Sequence, residues 1–159
     1  MKMGLDTLFP LPEHLELLGV DKHGEPWFVE VSPYDDELSG ATFHAWPESL
    51  PPDDHPRYLA MAAVTLRHPL SRQELLRAKI EDIRIEDNRL ENRGVGTLLL
   101  RYSEKWCKKM GFRDICGQLS NVDSGHLGKL RHFYSKNGYN FELYRKPRGI
   151  IIGEISKAL

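Results

Sequence analysis

The segment 91-ENRGVGTLLLRYSEKWCKKMG-111 sets two glycines two residues apart at the mouth of a helix. A glycine inside a helix costs about 1 kcal/mol relative to alanine, so Gly94 and Gly96 answer a need that a side chain cannot meet. Beyond them Val95, Leu99, Tyr102, Trp106 and Met110 recur at three- or four-residue spacing, while Arg101, Lys105, Lys108 and Lys109 fall elsewhere. That is a helix with one buried stripe, and Gly111 is placed to stop it. Just upstream, 80-IEDIRIE-86 alternates Ile83 and Ile85 with charged neighbours at period two, which reads as a strand. The glycines therefore stand between a strand and a helix. Free N–H groups at a helix N-terminus attract anions, and residues without a Cβ let a phosphate approach the backbone. A tight strand-to-helix turn with no ligand accounts for the glycines equally well.

Working outward, 114-DICGQLS-120 reads as a short strand and 126-HLGKLRHFYSKNG-138 as a second helix, with Leu127, Leu130 and Tyr134 on one stripe and Gly138 as its stop. Strands near 140-NFELY-144 and 150-IIIGEI-155 close the chain. The second half thus runs β-α-β-α-β-β. Towards the N-terminus, 17-LLGVDKHGEPWFVEV-31 predicts a hairpin bent at Gly24, and Val64, Thr65 and Leu66 mark 58-YLAMAAVTLRH-68 as a strand. The four prolines of 44-HAWPESLPPDDHP-56 predict a loop.

Three nucleotide motifs can be set against the glycines. A Walker loop needs Lys-Ser/Thr after its last glycine, and Thr97-Leu98 stands there. A dinucleotide fingerprint needs a third glycine where Leu99 sits, and an acid ending the next strand where Asp114 begins it. The run "ENRGVGTLLL" instead resembles the pyrophosphate-binding motif of the GNAT superfamily of acyl-CoA-dependent N-acyltransferases, Q/R-x-x-G-x-G/A. Arg93, Gly94 and Gly96 match in place, while Glu91 stands where the family has Gln or Arg. The element order agrees, and "FYSKNGY" is similar to the family's Tyr-x-x-x-Gly-Phe/Tyr ending, with Tyr134, Gly138 and Tyr139 in position. Leu127 and Leu130 depart from the Asn or Ala often found earlier in that helix. The likeness covers about residues 78 to 155.

What the resemblance implies is an α/β (α+β) fold with a mixed, mostly antiparallel, splayed sheet and flanking helices. It implies one domain over 1–159, with a variable acceptor-side half at 1–77 and an acetyl-CoA-binding core at 78–159. Acetyl-CoA as co-substrate would rest its pyrophosphate on Arg93, Gly94, Val95, Gly96 and Thr97, and its pantetheine arm against the backbone near Ile83 to Ile85. An amine on a small molecule or peptide would attack the thioester directly, with Tyr134 as the acid for the leaving thiolate. Arg93 would offer a charged donor to phosphate. Lys129, Arg131 and Lys136 are candidates for the 3′-phosphate, and Glu81, Glu86, Asp87, His126 and His132 for the base. Family members usually frame the acceptor with two helices between their first two strands, and no amphipathic pair is legible in residues 1 to 75.

Composition limits the alternatives. Lys plus Arg total 22 against 23 Asp plus Glu, so no global positive field suits a nucleic acid. The longest apolar runs are far short of the ~20 residues of a membrane span. Cys107 and Cys116 lack CxxC or zinc spacing, so no metal is expected. With free thiols and no apolar leader, the expectation is a cytoplasmic protein. Two other readings stay open: a GNAT-fold module that holds acyl-CoA without turnover, and an association domain, such as a homodimer, using 149-GIIIGEI-155 as an interface edge. The acids Asp35, Asp36, Glu37, Glu48, Asp53 and Asp54 would favour a cationic amine if they framed the acceptor.

Overall fold

Period-two alternation carries the first half of the chain into four consecutive strands. In the computed structural model, which describes residues 15–34, 39–49, 59–67, 77–85 and 90–159, these are β1 (Leu15–Val20), β2 (Pro26–Pro33), β3 (Gly40–Pro47) and β4 (Ala60–Arg67). There follow β5 (Arg77–Ile85), α1 (Val95–Lys109), β6 (Asp114–Ser120), a 3-10 turn (Asn121–His126), α2 (Leu127–Lys136), β7 (Asn140–Arg148) and β8 (Ile151–Ala158). All eight strands join one sheet in the order β1-β2-β3-β4-β5-β6-β8-β7. Every neighbouring pair is antiparallel except β5 and β6. The mixed, splayed sheet and the β-α-β-α-β-β order expected from the sequence are both present.

The parallel pair decides the shape of the middle of the sheet. β5 and β6 are in register only at Ala78↔Ile115, Lys79↔Cys116 and Ile80↔Gly117. Past Ile80 and Gly117 the two strands part, each continuing several residues without the other. At the point of parting, Asp82 and Ile80 stand opposite the adjacent residues Ala63 and Val64, so Glu81 is the extra residue of a β-bulge. A bulge bends its strand and strengthens the local twist, which helps β5 leave β6.

α1 packs on β4 and β5. Small side chains make room for it: Ala41, Ala45, Ala60 and Ala62 are fully buried, and Tyr102 and Trp106 set their rings edge-on to Phe43 at 5.3 and 5.4 Å. Leu99, Leu100, Ile80 and Ile115 complete this layer. α2 packs on β7, and Lys157 of β8 joins both helices by pairing with Glu104 of α1 and donating to the carbonyl of Asn137 after α2 at 2.9 Å.

Several expectations change. His44 to Pro47 belong to β3, because the prolines mark the strand's end: Pro47 lies at its terminus opposite Trp27, where a missing N–H costs no interior ladder bond. Glu48 and Ser49 follow as a turn, and residues 50–56 of the predicted loop lie outside the described residues. The apolar strand offered as an interface edge is β8, and it is interior, between β6 and β7; the edges are β1 and β7. Residues 21–25 connect β1 to β2 and residues 34–39 connect β2 to β3, each too few for a pair of acceptor-framing helices. The second helix is preceded by the 3-10 turn, where the Asp123 carboxylate accepts the Ser120 N–H at 2.8 Å in a capping box.

Candidate functional site

Asn92 at φ 62° and Gly94 at φ 84° take left-handed conformations and turn the chain into α1. Asparagine and glycine are the residues that adopt this conformation at least cost. Gly94 is the N-cap of α1, no side chain among the described residues caps this end, and its first turn holds no acid. The partial positive charge of the helix is therefore uncompensated from within. A cleft of about 330 Å³ opens here, lined by Lys22 and Asp21 from the β1–β2 turn, by Arg93, Gly94, Thr97 and Arg101, and by Lys136 and Asn137 at the end of α2. Among the described residues, four cations and one carboxylate line it. A chain with a net charge of −1 thus concentrates positive charge at one place.

Each residue of the predicted phosphate run has a definite environment. Val95 is buried in the core. A Cβ on Gly94 would lie 3.4 Å from Lys22 Cε, and one on Gly96 3.4 Å from Phe133 Cε2. Gly96 thereby lets α2 close on α1, a contact continued by Asn137 Nδ2 at 3.4 Å from Thr97 Oγ1. Arg93 does not turn its charge to the cleft alone. Its Nη1 lies 3.2 Å from Glu25 Oε2 and 3.6 Å from Asp21 Oδ2. Asp21 is itself buried and accepts hydrogen bonds from Trp27 Nε1 at 2.9 Å and from the N–H groups of His23 and Glu25. Burial by itself would raise this carboxyl, but those donors and Arg93 outweigh it and hold the carboxyl below its ordinary value. Glu91 is exposed.

The second region is the splay. Ile83 and Ile85 pair with Ala62 and Ala60 of β4 and pack their side chains on the core; on the other side of β5 the divergence of β6 leaves this backbone edge without a strand partner among the described residues. Tyr134 is buried, its ring edge-on to Phe133 at 5.0 Å and to Tyr139 at 5.5 Å. Burial first, then the carboxylates of Asp123 and Asp82, push its phenol up to about 12. Asp82 lies on the diverging part of β5 and Asp123 in the turn that follows β6, so the hydroxyl feels the charges that flank the gap.

The other residues singled out from the sequence fall elsewhere. Glu81 accepts the Thr65 hydroxyl at 2.7 Å and pairs with Lys79. Glu86 and Asp87 lie outside the described residues, as do Asp35, Asp36, Glu37, Asp53 and Asp54. His126, His132, Lys129 and Arg131 are exposed on and around α2, with Arg131 stacked on Phe141 at 5.2 Å. Cys107 is buried and its thiol is pushed up to about 12, by burial and then by Glu104; burial also raises Cys116. Neither thiol is poised as a nucleophile. The sequence reading missed Asp21, Lys22 and Glu25, whose run DKHGEP signals only a turn, and Phe133 and Asn137, whose spacing gave no sign of contact with the glycines. Among the described residues no cluster of His, Cys, Asp or Glu could hold a metal ion, and no helix is long and apolar enough to cross a membrane.

This architecture is that of the GNAT acetyltransferases. The GNAT domain of S. lividans PAT matches 94% of this chain and 99% of its own length, with a TM-score of 0.68 at 11% identity. PaiA N-acetyltransferase from Thermoplasma acidophilum, in complex with coenzyme A, matches 77% of this chain and 62% of its own, with a TM-score of 0.54 at 17% identity. Arabidopsis thaliana Naa50, in complex with the bisubstrate analogue CoA-Ac-MVNAL, matches 74% and 72%, with a TM-score of 0.52 at 17% identity. No family model matches the sequence, and no curated protein matches it. The chain has the GNAT fold, and at these identities the likeness is one of fold.

Proposed function

We propose that this protein is an N-acetyltransferase that takes acetyl from acetyl-CoA and passes it to an amine in one direct step. The observation that carries the reading is the gap between β5 and β6, which opens beside an uncapped, glycine-entered helix terminus bearing a cationic cleft. The N–H groups of residues 94–97 would receive the pyrophosphate. The free edge of β5 at Ile83 to Ile85 would pair with the pantetheine amides as a substitute strand, and an N–H there would stabilise negative charge developing on the thioester oxygen. The amine nitrogen forms its bond to the acetyl carbon as the carbon–sulfur bond breaks, so the enzyme needs only to remove one proton from nitrogen and supply one to sulfur. Tyr134, held protonated by burial, would supply it.

The likeness to enzymes solved with coenzyme A supports this reading at the level of fold. The acceptor is an amine of a small molecule or a peptide. Isothermal titration with acetyl-CoA should give one site per chain, and a thiol-release assay over an amine library should identify the acceptor. No heat of binding would sink the proposal, whereas binding without turnover on any amine would reduce the protein to an acyl-CoA-holding module.

A further inference from the structure

We infer that the β1–β2 turn is a second wall of the acyl-CoA phosphate site, in which Asp21 and Arg93 position the glycine loop and Lys22 meets the pyrophosphate. This rests on the acyl-CoA reading above and assigns to it residues that the glycine motif does not contain.

The turn is internally fixed. The Asp21 N–H donates to the Glu25 carbonyl at 2.9 Å and the Gly24 N–H to the Asp21 carbonyl at 3.0 Å, while the buried Asp21 carboxylate gathers three N–H donors. A buried carboxylate with this many partners holds one conformation, because losing any of them leaves a desolvated polar group unpaired. The turn is then fastened to the glycine loop from both sides of Arg93. The Arg93 carbonyl accepts the Lys22 N–H at 2.9 Å, and the Arg93 guanidinium pairs with Glu25 and Asp21. Glu25 is steadied in turn, its other oxygen accepting the Ser49 N–H at 3.0 Å. Arg93 is thus committed to holding the loop, and meeting an anion at the glycines falls to another of the cleft's cations.

Lys22 is that cation. Its methylenes lie over Gly94, where a Cβ would meet Cγ, Cδ and Cε at 3.5, 3.8 and 3.4 Å. Those methylenes cross the N-cap of α1, and Lys22 lines the cleft there. Lys136 approaches from α2, standing 5.9 Å from the centre of the Phe133 ring that rests against Gly96. Two lysines from separate elements flank a helix end that is already positive, an arrangement that repels itself until an anion with more than one charge enters. A pyrophosphate satisfies both lysines and the loop N–H groups together.

The test is calorimetric, on the full chain, with CoA and with dephospho-CoA, which lacks only the 3′-phosphate. Lys22→Ala should weaken both ligands about tenfold, as expected for a lost charge-assisted hydrogen bond, and Lys22→Arg should restore most of it. Asp21→Asn should weaken both as well, because the loop loses its anchor; a role confined to stability would lower Tm and leave the affinity of the folded protein as it was. Unchanged affinity for Lys22→Ala overturns the inference and leaves the acyl-CoA reading standing, and so does a loss confined to CoA, which would put Lys22 on the 3′-phosphate. A parent protein that binds neither ligand overturns both.

Discussion

Tyr134 and Arg93 show how one side chain's surroundings decide its task. Burial keeps the Tyr134 phenol protonated across the neutral range, so the hydroxyl carries its proton at the pH of turnover. Tyr134→Phe keeps the ring against Phe133 and Tyr139 and removes the donor alone. We expect kcat to fall about 10²-fold with acetyl-CoA affinity unchanged, measured by single-turnover thiol release and by calorimetry. A ring that only packs would give the reverse: parent kcat for Phe, and a loss of roughly 3–5 kcal/mol in stability on truncation to Ala. Arg93 teaches the opposite lesson. Its place in the motif was legible, but its partners Glu25 and Asp21 lie some 70 residues away in the chain, and no local pattern announces a pair that only the fold brings together.

Helices and strands were legible in proportion to how much of their signal is local. The stripe of α1, its glycine stop and the alternation of Ile83 and Ile85 in β5 are set by neighbours in sequence, and they appear where periodicity puts them. β3 was hidden because its last residues run into a proline cluster, and the 3-10 turn because NVDSGH carries no period at all. What locks α1 and α2 to the sheet is likewise distant in sequence. Lys157 stands on the last strand, pairs with the Glu104 carboxylate, bonds the Asn137 carbonyl and lies 5.4 Å from the Tyr139 ring centre. Glu104 is only 12% exposed, so removing its cation strands a half-buried charge. Lys157→Met should cost about 1–3 kcal/mol and lower Tm by about 2–4 °C per kcal/mol in a chain of this size. Adding Glu104→Gln should recover part of that loss, since the unpaired carboxylate is the main cost. A Lys157→Met protein that melts with the parent would show the tie to be idle.

The whole molecule carries a pH limit set by its buried phenols. Burial raises Tyr102, Tyr134 and Tyr139, with Glu16 bonded to Tyr102 at 2.8 Å and Glu104 near Tyr139 adding to it. In the unfolded chain each phenol ionises near 10. As pH rises past 10, the unfolded state sheds protons that the folded state keeps, so stability falls; below 10 both states keep them and the phenols contribute no slope. Tyr134 alone, with its folded value at about 12, accounts for about 2.7 kcal/mol in all, of which about 2 kcal/mol is lost between pH 10 and 12. Cys107 starts the decline about one unit earlier for the same reason. Tm should therefore be flat from pH 7 to 9 and drop progressively above it. Tyr139 allows the cause to be isolated, because its hydroxyl is buried with no hydrogen-bond partner among the described residues. Tyr139→Phe removes a desolvated, unpaired group, so its Tm at pH 7 should equal or exceed the parent's. Above pH 10 its Tm should fall less steeply, by the share of one phenol. Thermal melts of parent and variant across this range decide the point: parallel curves would mean that the alkaline loss comes from other groups and that the Tyr139 phenol ionises in the folded state as readily as in water.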